Sequence, residues 1–313
     1  MRVLITGGAG FIGYHLAGAL IKRGDAVTLL DNFNDYYDPE IKRRNARDLD
    51  ATGGATMHVA DILDRDGLRR VFETARPDAV VHLAAWAGVR PSLEKPALYT
   101  DVNVTGTVNM LEMAKAFSTG CFIFGSSSSV YGGSSRVPFT EDDAVNCPIS
   151  PYAATKRAGE LLCHAYSHNF GMRITCLRFF TVYGPRQRPD LAIHKFARLM
   201  ADDREIPLFG AGDSRRDYTY VDDIVSGVLA AMEKNFPFEI FNLGESQTIS
   251  LMELVESLED ALGKKARLAR LPEQTGDMKV TYADISKSRK MLGYNPQTPF
   301  SDGIRLFADW FRK

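Results

Sequence analysis

The chain of 313 residues has no excess of either charge: 38 Lys and Arg stand against 39 Asp and Glu, a net charge of −1 with histidine neutral. Such a balance leaves no electrostatic footprint for nucleic acid or an anionic membrane surface, so an anionic ligand must be gripped by local groups. No run approaches the roughly 18 apolar residues that a membrane-spanning helix needs. The opening segment, Met1-Arg2-Val3-Leu4-Ile5-Thr6, reaches a glycine cluster before it is long enough for a signal peptide, and a cytoplasmic location is expected. The four cysteines (Cys121, Cys147, Cys163, Cys176) lack CxxC spacing, and reduced, mostly structural thiols are expected. His15, His82, His164, His168 and His194 fall at no metal-ligand spacing, so no metal is implied. There is no internal repeat and no low-complexity segment.

What is present suits an ordinary globular core: 45% hydrophobic and 25% charged residues. Short, nearly continuous apolar runs recur at Val3–Ile5, Ala26–Leu30, Met57–Val59, Ala79–Leu83, Cys121–Phe124 and Ile174–Leu177, mostly separated by helical segments such as Ile12–Arg23. Runs of that kind are parallel strands buried on both faces, so the pattern predicts an α/β, Rossmann-type doubly wound parallel sheet. The last third is mixed, with strand candidates at Ile206–Phe209 and Ala266–Leu271 and a final helix near Ile304–Phe311. Ser250-Leu-Met-Glu253 reads as a capping box opening a helix that ends at Gly263. A Rossmann domain over residues 1–180, rejoined by a segment near 215–245, and a smaller mixed α/β C-terminal substrate domain over 181–313 are expected.

Thr6-Gly7-Gly8-Ala9-Gly10-Phe11-Ile12-Gly13 follows a strand and opens a helix. In that context the glycines permit a tight turn and close backbone approach, and the helix N-terminus offers N–H groups to a pyrophosphate. Asp31, eighteen positions after Gly13, ends the second strand, where a carboxylate accepts both ribose hydroxyls and repels a 2′-phosphate. Asn32-Phe33-Asn34-Asp35 supplies no Arg or Lys, so NAD rather than NADP is the expected cofactor. Lys42-Arg-Arg44 reads as a solvated helix face.

Tyr152-Ala-Ala-Thr-Lys156 puts a phenol and an ammonium at i and i+4 on one helix face. A different face carries Ala154, Ala158, Leu161, Leu162 and Ala165, so packing does not require Tyr152 or Lys156. A nearby ammonium and a positive nicotinamide ring would lower the tyrosine pKa toward neutrality. YxxxK alone means little. It gains force from Ser126-Ser-Ser-Ser-Val-Tyr-Gly132 at a strand end, where ligands bind in open α/β folds.

TGGAGFIG, Asp31-Asn32, Asp61-Ile62, His82-Leu-Ala-Ala85, SSSSVYG, YxxxK and Leu177-Arg-Phe-Phe-Thr-Val-Tyr-Gly184 together resemble the extended short-chain dehydrogenase/reductases. More narrowly, the chain resembles the NAD-dependent nucleotide-sugar 4-epimerases, down to Arg216-Asp-Tyr, Gly276-Asp277 and Leu292-Gly-Tyr294. The resemblance implies Tyr152 as acid and base, Lys156 as its partner and Ser127 as the hydroxyl on the reacting oxygen. It implies cofactor contacts from Gly7, Gly10, Phe11, Ile12, Gly13, Asp31, Asn32, Asp61, Ile62, Leu83, Ala84, Ala85, Asn103, Ser126 and Phe179, with Tyr152 and Lys156. Arg216 matches the arginine on the nucleotide diphosphate, and Asp277 a further substrate contact. A homodimer through helices over 97–117 and 152–169 is also implied.

Dehydrating and decarboxylating relatives carry carboxylates where this chain has Ser128-Ser129, so plain C4 epimerisation is expected. Asp31–Pro39, His82–Arg90 and Phe179–Asp190 look most like UDP-glucuronate 4-epimerases. A 6-carboxylate needs charge-assisted donors, and Arg90, Arg186 and Arg188, with Ser128 and Thr181, are candidates near the pocket mouth. In the plainer alternative, Arg178 and Arg188 pair with acids or the diphosphate and Arg186 is solvated. A neutral UDP-glucose or UDP-N-acetylglucosamine epimerase and a non-catalytic NAD-binding regulatory protein are the competing readings.

Overall fold

The computed structural model describes residues 1–134, 136–272 and 279–313. The first half alternates strand and helix: β1 (Arg2–Thr6), α1 (Phe11–Arg23), β2 (Ala26–Asp31), α2 (Pro39–Asp50), β3 (Ala55–Val59), α3 (Arg65–Ala75) and β4 (Ala79–His82). Two short helices, α4 (Val89–Glu94) and α5 (Pro96–Thr100), lead through a π-helical turn at Asp101–Thr105 into α6 (Gly106–Ala116). β5 (Cys121–Ser127), α7 (Pro151–Phe170) and β6 (Ile174–Phe179) follow.

The strands form one parallel seven-stranded sheet in the order β11-β6-β5-β4-β1-β2-β3, where β11 (Phe238–Leu243) returns from late in the chain to pair with β6. The doubly wound α/β sheet expected from the apolar runs is therefore what forms. Alternate residues of a strand serve opposite cores: Val3 and Ile5 pack with Leu16 and Leu20 of α1, and Leu4 packs with Val71 and Phe72 of α3 and Met110 of α6. Burial on both faces is why these strands read as continuous apolar runs.

Before and after β11 lie β7 (Thr181–Tyr183), α8 (Ala192–Ala201), β8 (Glu205–Phe209), β9 (Arg215–Arg216), β10 (Tyr218–Tyr220), α9 (Val221–Lys234), β12 (Ile249–Ser250), α10 (Leu251–Leu262), β13 (Arg267–Leu271), α11 (Ser286–Leu292) and α12 (Phe300–Phe311). They make three two-stranded sheets, β10-β7, β12-β9 and β13-β8. Ser250 and Glu253 do form a reciprocal capping box, and Gly263 ends α10 in the left-handed conformation.

One expectation about α7 is reversed. Ala154 and Leu161 are exposed, and the face turned to the sheet carries Ala153, Lys156, Glu160 and Cys163. The apolar stripe points outward because the inner face of α7 holds a buried ion pair. Glu160, with its side chain 0% exposed, accepts from Arg178 Nε at 2.8 Å and Nη2 at 2.9 Å.

Candidate active site

A cleft of about 500 Å³ opens at the C-terminal ends of β1, β2, β4, β5 and β6. In a doubly wound sheet this is the crevice where neighbouring strands diverge and ligands bind. Its floor is the glycine turn after β1. Gly7 has φ +66°, and a Cβ there would lie 2.9 Å from the Ala84 nitrogen. A Cβ on Gly13 would lie 2.4 Å from the Gly7 carbonyl oxygen. Bare backbone is thus required where the turn, α1 and the β4 loop converge.

The start of α1 suits an anion. Gly10 provides no side-chain cap, and the first turn holds no acidic residue, so its orphan N–H groups and dipole face the cleft uncompensated. Asp31 closes β2 with its side chain buried, accepting from the Phe33 amide at 2.9 Å. Burial raises its pKa, with Lys42 and backbone N–H groups opposing. An anion-ready helix end and a buried carboxylate at the end of β2 fit a dinucleotide.

Lys42 corrects the reading of its segment as a solvated face. It is 4% exposed and lines the cleft. Its Nζ donates to the Asn34 carbonyl at 3.0 Å and to Asn34 Oδ1 at 2.8 Å, 4.7 Å from the centre of the Tyr37 ring. The loop lacks a lysine of its own, but α2 brings one to the same end of the site. Lys42, Asn45, Ala46 and Leu49 are its buried face. That i, i+3, i+4, i+7 spacing was the available signal.

At the opposite end, α7 delivers Tyr152 and Lys156. Ser150 caps the helix by accepting from the Ala153 amide at 3.1 Å, and Pro151 begins it with φ already set. The Ser127 side chain accepts from the Ser129 amide at 3.2 Å and hydroxyl at 2.9 Å, so the strand end turns back on itself. Lys156 Nζ donates to the Gly125 carbonyl at 2.6 Å, and burial pushes its pKa down to about 8. The expected lowering of the Tyr152 pKa is not found: burial raises it, against a Ser127 hydrogen bond and the Arg188 charge. In the protein alone the ammonium is turned to backbone, and desolvation dominates.

The same cleft is lined by Gly7, Gly10, Phe11, Ile12, Gly13, Asp31, Asn32, Ile62, Leu83, Ala84, Ala85, Ser126, Ser127, Ser128, Tyr152, Lys156, Phe179, Thr181, Arg188 and Arg216. Four expected residues lie elsewhere or outside the description. Asp61 is not among the lining residues; it accepts from Asn32 Nδ2, which is, at 2.8 Å. Asn103 is 2% exposed and bonds the Trp86 backbone and Thr155, which makes it a brace. Arg90 is exposed, its guanidinium 5.8 Å from the centre of the Phe209 ring. Asp277 lies outside the described residues.

The three arginines proposed for the pocket mouth therefore part company. Arg186 bonds Asn45 and Asp48, each at 2.6 Å, and stacks 4.0 Å from the Tyr14 ring centre, tying its loop to α1 and α2. Arg188 alone of the three lines the cleft, paired with Asp190. Tyr36 and Tyr37, also lining it, fall within the Asp31–Pro39 segment that carried the resemblance but were not singled out as site residues. His82 is a core histidine between Thr6 and Thr107, its pKa lowered by burial to about 3. No group of three or more His, Cys, Asp or Glu able to hold a metal occurs among the described residues.

The family description "NAD dependent epimerase/dehydratase family" matches residues 3–244. A UDP-glucuronate 4-epimerase of Thermodesulfobacterium geofontis is 43% identical over 99% of this chain and 96% of its own length. The crystal structure of a Bacillus cereus UDP-glucuronic acid 4-epimerase, in complex with UDP-glucuronic acid and NAD, superposes with a TM-score of 0.93 at 40% identity, covering 100% of this chain and 99% of that one. A Thermus thermophilus UDP-glucose 4-epimerase in complex with NAD gives 0.91 at 32% identity, with 100% and 99% covered. The chain belongs to the NAD-dependent epimerase/dehydratase family.

Proposed function

We propose that the chain is a UDP-sugar 4-epimerase that interconverts UDP-glucuronate and UDP-galacturonate with bound NAD. The observation that carries the reading is one cleft holding Tyr152, Ser127 and Lys156 at the end of β5 and Arg188, Thr181 and Ser128 around them. The 43% and 40% identity to the two UDP-glucuronate 4-epimerases, against 32% to the UDP-glucose 4-epimerase, supports the same choice.

Gly7, Gly10 and Gly13 with the start of α1 hold the pyrophosphate, Asp31 the adenosine ribose, and Ile62 the adenine. When bound, NAD supplies a hydride acceptor and donor for the sugar C4. Tyr152 takes the O4 proton and gives it back, and Ser127 orients O4 by hydrogen bond. Lys156 spends one N–H on Gly125, leaving two for the ribose beside the nicotinamide and a positive charge near the phenol. Arg216 takes the diphosphate. Ser128 and Ser129 offer no carboxyl group for elimination at C5 and C6, so the 4-ketose turns and is reduced from its other face.

A uronate oxidised at C4 is a β-keto acid. If its carboxylate leaves the carbonyl plane, the C5–C6 bond breaks, CO2 departs, and the electron pair forms an enolate that is protonated at C5. Arg188, Thr181 and Ser128 clamp the carboxylate against that loss. Residues 1–180, with the segment near 215–245, bind NAD, and 181–313 hold the sugar nucleotide. The outward stripe of α7, including exposed Leu161, pairs with a second copy in a homodimer. No helix among the described residues is long and apolar enough to cross a membrane, and the reading places the enzyme in the cytoplasm.

The test is incubation with UDP-glucuronate, with and without added NAD, resolved by proton NMR. UDP-galacturonate without lasting NADH or UDP-pentose is the expected product. Conversion of UDP-glucose to UDP-galactose with UDP-glucuronate untouched overturns the sugar assignment. Tyr152→Phe abolishes turnover while NAD binding persists.

A further inference from the structure

Among the described residues, the Arg188 guanidinium is hydrogen-bonded along one edge, by Asp190. Its Nε donates to Asp190 Oδ1 at 3.0 Å and its Nη2 to Asp190 Oδ2 at 2.8 Å, a side-on fork. A guanidinium has five N–H groups, so this fork consumes two and leaves the end-on pair of Nη1 and Nη2. The Tyr36 hydroxyl donates to Asp190 Oδ2 at 3.4 Å, and the Tyr36 ring lies 5.2 Å from the guanidinium carbon. Tyr36 in turn meets Trp86 edge-on at 5.3 Å. Two residues earlier, Arg186 fixes the loop backbone to α2 through Asn45 and Asp48.

The loop is thus anchored by Arg186, but nothing in that anchor orients the Arg188 side chain. An unpaired arginine has a long, freely rotating stem and loses rotamer entropy when it grips a ligand. We propose that Asp190, braced by Tyr36, is the positioning residue that sets Arg188 as a preformed receptor for the sugar carboxylate. Asp190 takes the side-on face and thereby reserves the end-on face for a second carboxylate. Arg188 lines the cleft and Asp190 is not among the lining residues, so the arginine sits on the cleft side of the pair; the side chains are 21% and 36% exposed. Asp190 does not touch substrate. It determines how the group that does is aimed, and with it the preference for a charged over a neutral sugar. The inference rests on the UDP-glucuronate reading.

The experiment compares the purified holoenzyme with Asp190→Asn, Asp190→Glu and Tyr36→Phe. UDP-glucuronate kinetics are read with product NMR, and affinity for UDP alone serves as a probe lacking the carboxylate. Losing one charge-assisted fork raises KM for UDP-glucuronate about tenfold in Asp190→Asn. The expectation is that kcat stays within about threefold, because the proton-transfer groups are untouched. UDP affinity and NAD content stay at wild-type values, UDP-pentose enters the products, Asp190→Glu recovers part of the loss, and Tyr36→Phe shows a smaller one. An unchanged or lower KM in Asp190→Asn overturns the proposal, because Asp190 would then compete with the substrate for the arginine. Parallel loss of UDP affinity also overturns it, as general loosening of the loop. Failure of the wild type to convert UDP-glucuronate overturns the functional reading itself and is seen before any variant is compared.

Discussion

Replacing Glu160 with Gln tests whether the inner face of α7 is held by charge. The carboxylate accepts from Ser126 Oγ at 2.7 Å, Arg178 Nε at 2.8 Å, Arg178 Nη2 at 2.9 Å and Arg157 Nη1 at 2.9 Å. Both Glu160 and Arg178 have side chains no more than 1% exposed. Burial works to raise the Glu160 pKa, but the arginine and the other donors outweigh it and hold it below the ordinary carboxylate value. A glutamine keeps one acceptor and turns an NH2 group toward two guanidinium nitrogens, so two bonds become donor-to-donor contacts and the Arg178 charge is stranded. Stranding a buried charge costs about 3–5 kcal/mol. At about 1.5 °C per kcal/mol for a chain of this length, the melting temperature falls by about 5–8 °C. Differential scanning calorimetry of the holoenzyme reads this directly. Glu160→Gln with Arg178→Met, which removes the stranded charge, recovers more than half of the loss. A drop under about 3 °C in the single variant, or a double variant no better than the single, refutes the reasoning. Because the folded pKa is depressed, this contribution is present above the unfolded glutamate value and is lost as pH falls through the folded one.

Gly13→Ala places a Cβ 2.4 Å from the Gly7 carbonyl oxygen, where only backbone could yield; NAD binding falls by at least about a hundredfold in calorimetric titration, and retention within threefold would sink the turn assignment. Lys42→Met removes two hydrogen bonds to Asn34 and the cation opposing Asp31, and NAD affinity falls about tenfold, checked by the same titration; unchanged affinity would return Lys42 to a packing role. Asp217 has its pKa pushed up by burial to about 6, against four hydrogen bonds from Glu245, Ala283, Thr219 and Ser246. The folded state then binds more protons than the unfolded one, so this group's stabilisation is full below about pH 4 and declines by roughly 3 kcal/mol as pH rises through 6. Urea unfolding at several pH values shows the stability advantage of wild type over Asp217→Ala shrinking from pH 4 to 7, and an advantage that grows with pH contradicts the assignment.

The inner part of the sheet was legible because its central strands are buried on both faces, whereas edge strand β11, half of it only partly buried, was not among the runs read as strands. Val3-Leu4-Ile5 and Ala79-Val-Val81 could only be central strands, and the glycine turn between β1 and α1 followed from local chemistry. The capping box at Ser250 was equally local. Lys42 was missed because charge was read as solvation. Its carbon stem packs on α2's inner face and its ammonium reaches Asn34. The destinations of Arg186, Arg188 and Arg90 were not readable either. Three guanidinium groups in two separate motif segments look alike in sequence, and only the fold sends one to α2, one to the cleft and one over Phe209.

The inversion of α7 has one cause with two effects. Tyr152, Lys156 and Glu160 recur at every fourth residue and so lie along one line of the helix, which must face the sheet if the first two are to reach the cleft. Glu160 can be buried there only because Arg178, on the neighbouring strand β6, arrives to neutralise it. With Lys156 and Glu160 on the inner face beside the small Ala153 and Cys163, Ala154, Leu161 and Ala165 are left outside, Leu161 being 55% exposed. Hydrophobic periodicity locates the core only where the core is apolar. On a helix that carries chemistry it locates the opposite face, and there the exposed apolar surface is a consequence of the surface that does the work.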